Sequence, residues 1–139
     1  MISRISVLNF KSLRDMLVDI APLTILTGLN GSGKSSLIQL LLLLRQNATN
    51  ATNTVLVELN KGLLQLGTQR DVQYCYNTGT EKMMVAVESD LFKEDYKVEM
   101  PFDNPTSDVI TMSATEVDLD ANFRMIEYLN GIQYISAER

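Results

Sequence analysis

The sequence predicts an α/β fold, and three observations carry that prediction. Residues 23–27 (LTILT) form a short apolar run rich in β-formers, and a glycine-rich loop follows directly. Residues 34–46 contain no Gly or Pro and are dominated by leucine, so they predict a buried helix. Farther along the chain, short apolar runs separated by turn signals predict an antiparallel β-rich subdomain.

The composition is that of a globular domain. Of 139 residues, 45% are hydrophobic and 21% are charged, and this length suits one domain. The lone cysteine, Cys75, excludes an internal disulfide and is interpreted as a small buried hydrophobic residue. The absence of histidine excludes Cys/His zinc sites and histidine acid–base chemistry.

The sequence offers no candidate for a membrane or export segment. Its longest apolar run, residues 37–44, is broken by Gln39 and is far shorter than the roughly 18–20 residues that a membrane span needs. The first residues, MISRISVLNF, lack the apolar stretch and cleavage site of a secretory signal. We therefore expect a cytoplasmic protein without a membrane partner.

Charge is divided unevenly along the chain. Residues 1–70 contain seven Lys/Arg and three Asp/Glu, whereas residues 71–139 contain five and fourteen, which together give the net charge of -5. The basic first half suits an anionic ligand, and the acidic second half argues against a general nucleic-acid surface.

The first half of the chain contains the elements of the predicted core. Residues 2–10 alternate apolar and polar side chains and predict a strand, and residues 16–20 predict a second, shorter one. Pro22 interrupts the chain, after which residues 23–27 predict a buried central strand. The three glycines within residues 28–33 predict a loop, and the helix of residues 34–46 follows it.

The second half is assigned to a β-rich subdomain over residues 54–120, with residues 121–139 returning to the core. The predicted strands are residues 54–59, 73–76, 83–87 and 96–100, with 109–112 and 114–119 as further candidates. Turn signals lie at residues 77–79, 88–90 and 101–105, and the polar stretch 47–53 predicts a mobile connection. Residues 122–129 predict a short helix, and residues 132–135 predict the start of a strand.

One motif in the chain carries a specific chemistry. Residues 28–35 (GLNGSGKS) satisfy the pattern G-x-x-x-x-G-K-[ST], in which glycines allow close approach and loop N–H groups form an anion nest. The helix that follows adds its positive end. Lys34 would place a charge beside the β and γ phosphates, and Ser35 would offer its hydroxyl to Mg²⁺. The candidate nucleotide-binding residues are Gly28, Asn30, Gly31, Ser32, Gly33, Lys34, Ser35 and Ser36.

The alternative interpretation of this motif is a flexible Gly/Ser turn with a solvated lysine. The predicted strand before the loop and the predicted helix after it favour the nucleotide-binding interpretation. Guanine specificity is not expected, because the Asn-Lys at residues 60–61 lacks the acidic residue of an Asn-Lys-x-Asp motif. A small kinase is not expected either, because arginine is sparse and no Arg-rich lid is visible.

The sequence around the motif resembles a known family. Residues 8–13 (LNFKSL), a second short strand, residues 22–28 (PLTILTG), the loop and the leucine-rich helix resemble the start of the RecF, SMC and OLD group of ABC-type ATPases. Residues 59–67 (LNKGLLQLG) with Asp71, and residues 134–139 (YISAER), resemble bacterial AAA-family ATPases of that group, many of which occur in phage-defence or DNA-maintenance operons.

This resemblance implies a P-loop NTPase core of the ABC-ATPase kind with an antiparallel β-subdomain, and ATP and Mg²⁺ as ligands. It implies that residues 10–12 lie beside the nucleotide, which adds Lys11 and Ser12 to the candidate site. Lys11 would contact phosphate or base, or would be a solvated lysine at a strand end. Gln133 is either the family's Mg²⁺-sensing glutamine or a strand-edge residue. In the complete protein, ATP would bridge a homodimer and drive a DNA-linked or nuclease effector.

Several parts of the family's hydrolytic machinery are absent from the sequence. We find neither a Leu-Ser-Gly-Gly signature nor an apolar run that ends in Asp-Glu, and a switch histidine is impossible. We therefore expect the N-terminal lobe of a longer ATPase with an incomplete sheet, which binds Mg-ATP weakly and does not turn it over. The alternative is a non-catalytic module that binds a nucleotide or an anion and docks a partner.

Overall fold

The computed structural model describes residues 1–46, 54–76, 82–90, 96–115, 119–133 and 135. Within them, six strands and three helices alternate unevenly along the chain. Their order is β1 (Ile2–Phe10), β2 (Leu13–Asp19), α1 (Lys34–Gln46), β3 (Thr54–Glu58), α2 (Gln69–Val72), β4 (Lys82–Ser89), β5 (Tyr96–Pro101), β6 (Val109–Thr115) and α3 (Leu119–Asn130).

The six strands form one sheet in the order β2-β1-β4-β5-β6-β3. Every neighbouring pair in it is antiparallel. Strand β1, from the predicted core, therefore pairs directly with β4, from the predicted subdomain. The division of the chain into a core and a subdomain stays a prediction.

One face of the sheet carries the hydrophobic core. Val7 lies opposite Val85, and Val85 lies opposite Val98, so three adjacent strands contribute to one apolar row. All three side chains are buried in the same cluster as the inward leucines of α1, including Leu40 and Leu43. Helix α3 packs against α1 and against β5. Period-two alternation in the strands and a leucine-rich helix thus produce a sheet with helices on one face.

The opposite face of the sheet is polar and carries ion pairs between neighbouring strands. The Arg4 guanidinium lies 2.7 Å from the Asp19 carboxylate on β2 and 3.3 Å from the Glu88 carboxylate on β4. Lys82 and Glu99 pair at 2.7 Å between β4 and β5. Because these pairs are partly solvent-exposed, each contributes little to stability, and they explain part of the acidic composition as a solvated sheet face.

The one-turn helix α2 holds a buried amide. Gln69 is 1% exposed, and its side-chain amide donates to the carbonyl of Val109 at 2.8 Å and to the carboxylate of Asp103 at 3.1 Å. Its amide oxygen accepts the backbone N–H of Asn104 at 3.0 Å. One side chain therefore fixes the connection between β5 and β6 to α2, and all of its hydrogen-bonding groups are used.

Most predicted elements are confirmed by the structure. The first strand and the helix at 34–46 have the predicted bounds, residues 28–33 form a loop, and the second strand begins three residues earlier than predicted. Strands predicted at 54–59, 83–87 and 96–100 correspond to β3, β4 and β5. The run at 109–112 and the first two residues of the run predicted at 114–119 belong to one strand, β6. Residues 116–118 lie outside the described residues, and residue 119 already begins α3, which is longer than the helix predicted at 122–129.

The prediction of a buried central strand at residues 23–27 was wrong. These residues have no regular secondary structure, and Leu23 and Ile25 are 78% and 74% exposed. A buried strand needs a hydrogen-bonded neighbour and cover on both faces. In the described chain all six strands pair with one another, and none of them pairs with this segment. The P-loop core is not confirmed, because such a core has a mostly parallel sheet.

Three smaller predictions also need correction. Cys75 is exposed rather than buried, because it follows the single β-bridge between Phe10 and Gln73 that replaces the strand predicted at 73–76. At residues 88–90, β4 continues through Ser89 and only Asp90 is a turn residue. Residues 132, 133 and 135 form no strand, and the predictions for 47–53 and 77–79 lie outside the described residues. Among the helices described, none has the length and apolar character of a membrane span.

Candidate functional site

The glycine-rich loop is an exposed turn that leads into α1. Residues 21–30 are all exposed, and the N–H of Ser32 donates to the carbonyl of Leu29 at 3.2 Å. Three glycines have positive φ angles that other residues rarely adopt: Gly28 (147°), Gly31 (84°) and Gly33 (96°). The loop conformation therefore depends on glycine at these positions.

The ammonium group of Lys34 lies inside the curve of this loop. It donates to the carbonyl oxygens of Gly28 at 2.7 Å and Leu29 at 2.6 Å, and it lies 3.3 Å from the hydroxyl of Ser32. A flexible cation held by its own loop is available to an incoming anion, because phosphate oxygens bind an ammonium more strongly than neutral carbonyls do. The lysine of the motif is thus placed at the loop rather than extended into solvent.

Gly33 lies against the turn between β1 and β2. A Cβ atom at this position would lie 2.5 Å from Cδ2 of Leu13, whose side chain is buried. Around Gly31, by contrast, a Cβ would meet nothing within 4 Å. Gly33 is therefore required for close approach as well as for its φ angle, whereas Gly31 is required for its φ angle alone.

The turn between β1 and β2 runs along one face of α1. The two turn residues and the first residue of β2 contact three positions that are spaced three apart: Lys11 bonds Gln39, Ser12 bonds Ser36, and Leu13 approaches Gly33. The two hydroxyl oxygens lie 2.9 Å apart, and the ammonium nitrogen of Lys11 lies 3.0 Å from the amide oxygen of Gln39. Residues three apart lie on the same side of a helix. The contacts therefore form one stripe, Gly33, Ser36 and Gln39, at the N-terminal end of α1.

Lys11 lies between α1 and the segment of α2. Its backbone has a φ of 50°, and its N–H donates to the carbonyl of Val72 at 2.7 Å. Burial lowers the pKa of its ammonium group, and the carboxylate of Asp71 opposes this by raising it. The side chain of Lys11 is therefore directed to the second turn of α1, and Ser12 is the residue that reaches its first turn.

Residues 59–71, whose sequence resembles bacterial AAA-family ATPases, are held by two local pairs of hydrogen bonds. The side-chain amide of Asn60 donates to the carbonyl of Gly67 at 3.0 Å and accepts its N–H at 2.8 Å. Thr68 donates its N–H and its hydroxyl to the carboxylate of Asp71, both at 2.8 Å, and these bonds hold the pKa of Asp71 below its usual value. These contacts shape the segment and leave Asp71 outside the loop.

The remaining loop residues are available for ligands. Asn30, Ser32 and Ser35 are exposed, and Ser35 lies in the first turn of α1 directly after Lys34. No set of three metal-binding side chains gathers anywhere in the described ranges. The hydroxyl of Ser35 fits Mg²⁺ as one ligand of an ion held mainly by phosphates, since Mg²⁺ keeps several waters and needs few protein ligands.

Sequence reasoning missed two residues at this site, Leu13 and Gln39. The sequence does contain a signal for this contact. Gly33, Ser36 and Gln39 are spaced three apart, so they share one side of the helix, and two of them are small enough for another segment to approach closely. Gln133 is exposed in an irregular segment after α3.

Comparison with known proteins supports a nucleotide-binding assignment. A model of the AAA ATPase domain family matches residues 1–133, which include the loop, all six strands and all three helices of the described chain. Searches of curated proteins and of solved structures found no significant match. Because the family match spans nearly the whole sequence, the chain belongs to the AAA ATPase domain family.

Proposed function

We propose that the chain binds Mg-ATP through residues 28–36, with Lys34 and the loop N–H groups holding the β and γ phosphates. The observation that carries this proposal is the position of the Lys34 ammonium inside the turn of three positive-φ glycines. A loop of this kind offers converging backbone donors at the start of a helix, where negative charge is stabilised. The family match supports the same function.

The finer assignment is that this lobe belongs to an ATPase of the RecF, SMC and OLD kind. It rests on the resemblance of residues 1–46, and the family match is compatible with it. In the complete protein, ATP would bridge two protomers, and its hydrolysis would drive a DNA-linked effector in the cytoplasm. Residues 1–46 would provide the phosphate-binding half of that site, and residues 54–120 the β-rich subdomain.

We expect titration calorimetry to detect Mg-ATP binding by the chain and to show its loss in Lys34→Ala. Charge-assisted hydrogen bonds contribute about 1.5–3 kcal/mol, so the affinity should fall roughly 10- to 100-fold. At about 100 times its dissociation constant, the ligand should also stabilise the chain by roughly 2.7 kcal/mol, which a thermal shift will show.

Lys61→Ala is the matched control for this titration. It removes an equal charge from a half-exposed lysine whose partner is Glu58, 3.4 Å away. Its affinity for Mg-ATP should equal that of the unsubstituted chain. Equal heats from the unsubstituted chain and Lys34→Ala would contradict the proposal.

The role of Ser35 predicts a metal-dependent effect. Ser35→Ala should lower the affinity for Mg-ATP but leave the affinity for ATP in EDTA unchanged, because only the metal complex uses the hydroxyl. The measurement is the ratio of the two affinities in each variant. An equal loss with and without Mg²⁺ would show that Ser35 acts on the loop and not on the ion.

The alternative function is a non-catalytic module that recognises the anion alone. The exposed loop supports this alternative, because residues 21–30 do not enclose a pocket for the base of a nucleotide. Inorganic tripolyphosphate distinguishes the two functions in the same calorimeter. Equal affinities for tripolyphosphate and ATP would favour the anion module, and steady phosphate release from ATP would favour the ATPase.

A further inference from the structure

The loop has few attachments to the rest of the fold. Residues 21–30 are exposed and belong to no strand of the sheet described above. At the other end of the loop, Gly33 and Ser36 are both buried. The contacts that position the loop are therefore concentrated at its C-terminal end, where the β1–β2 turn meets α1.

We propose that Ser12 is a positioning residue, which holds the phosphate-binding loop against the sheet through Ser36 without touching the nucleotide. This inference rests on the proposed function of the loop. The hydroxyls of Ser12 and Ser36 lie 2.9 Å apart, and Ser36 comes two residues after Lys34 in the same helical turn. A directional bond at that point fixes the rotation of the first turn and thereby the direction of its N–H groups.

The neighbouring contacts favour this role over a direct contact with the ligand. The Lys11 ammonium bonds Gln39, one turn farther from the loop, and Leu13 packs against Gly33. Ser12 lies between these two residues, and its hydroxyl bonds that of Ser36 in the first turn of α1. A preorganised loop binds more tightly because less conformational freedom is lost when the ligand arrives.

A double-mutant cycle on Mg-ATP affinity tests the proposal. We expect Ser12→Ala and Ser36→Ala each to lower the affinity roughly 2- to 10-fold, the range for one hydrogen bond. The double variant should lose no more affinity for Mg-ATP than the single variant with the larger loss, because either substitution already breaks the bond. Multiplied losses would overturn the proposal, since they would show that Ser12 acts on the nucleotide independently.

A conservative pair separates the hydrogen bond from packing. Ser12→Thr keeps a hydroxyl and should retain the affinity, whereas Ser12→Val has the same shape without it and should resemble Ser12→Ala. Tripolyphosphate should lose affinity in the same ratio as Mg-ATP, because the effect passes through the phosphate loop. A loss confined to ATP would overturn the proposal in favour of a base contact.

The measurements distinguish failure of the positioning role of Ser12 from failure of the proposed Mg-ATP binding. If the unsubstituted chain binds Mg-ATP and Ser12→Val binds equally well, only the positioning role is overturned. If the unsubstituted chain binds neither Mg-ATP nor tripolyphosphate, both proposals are overturned. Unfolding temperatures of the Ser12 variants, measured alongside, should stay close to that of the unsubstituted chain because Ser12 is an exposed residue.

Discussion

Replacing Gly33 with alanine is expected to lower the free energy of unfolding by about 2–4 kcal/mol, through strain and crowding together. The φ of 96° places a Cβ in a conformation that L-residues rarely adopt. That same Cβ would lie 2.5 Å from Cδ2 of Leu13, a buried side chain that would have to shift within the core. Urea unfolding of the variant and of the unsubstituted chain measures the difference.

Gly31→Ala is the control that isolates backbone strain from crowding. Its φ of 84° is similarly unfavourable, but a Cβ there would meet nothing within 4 Å. We expect a cost of about 1–2 kcal/mol from strain alone. In a Leu13→Ala background the cost of Gly33→Ala should shrink by at least about 1 kcal/mol, because the clashing atom is gone. If both glycine variants cost the same, the close approach of the turn is not what requires Gly33.

The second large effect is expected for Gln69→Glu, which is nearly isosteric but should cost about 3–5 kcal/mol at neutral pH. The new carboxylate would be buried and would lose the two bonds that the amide donates to Val109 and Asp103. It would also face the carboxylate of Asp103. The one hydrogen bond that the carboxylate would keep, from the N–H of Asn104, does not offset the burial of its charge.

The pH dependence of this penalty follows from the same burial. Burial and the Asp103 charge raise the pKa of the new carboxyl group in the folded state above its unfolded value of about 4.3. The folded state then holds the proton longer, so the penalty is small below the unfolded pKa and grows as the pH rises above it. Chemical unfolding at several pH values should show this difference from the unsubstituted chain. Gln65→Glu, at an exposed position, should show neither effect.

Local signals in the sequence predicted much of the fold. Strand β1 and helix α1 were predicted with the correct bounds. The apolar alternation of residues 2–10 and the leucines of residues 34–46 are local patterns that do not depend on the rest of the chain. The loop followed from three glycines in six residues. Helix α2 was missed, although Thr68 and Asp71 form a capping box at the spacing that marks a helix start.

The errors concern features that depend on distant parts of the chain. Residues 23–27 have the composition of a buried strand, yet burial requires neighbours, and the described strands pair elsewhere. The candidate loop residues followed from the motif, but the stripe through Ser12 did not. Lys11 and Gln39 are 28 residues apart, and only the folded chain shows that they are neighbours.

The pairing of β1 with β4 has a consequence for biosynthesis. Arg4 and Glu88, which face each other across this pair, are separated by 84 residues, so the ribosome completes β1 and α1 long before their partner strand emerges. Until then, the apolar side of β1 and the leucines of α1 have little to pack against. Such distant pairing slows the search for the native state, typically to milliseconds or seconds, and leaves nascent chains open to aggregation or to chaperones.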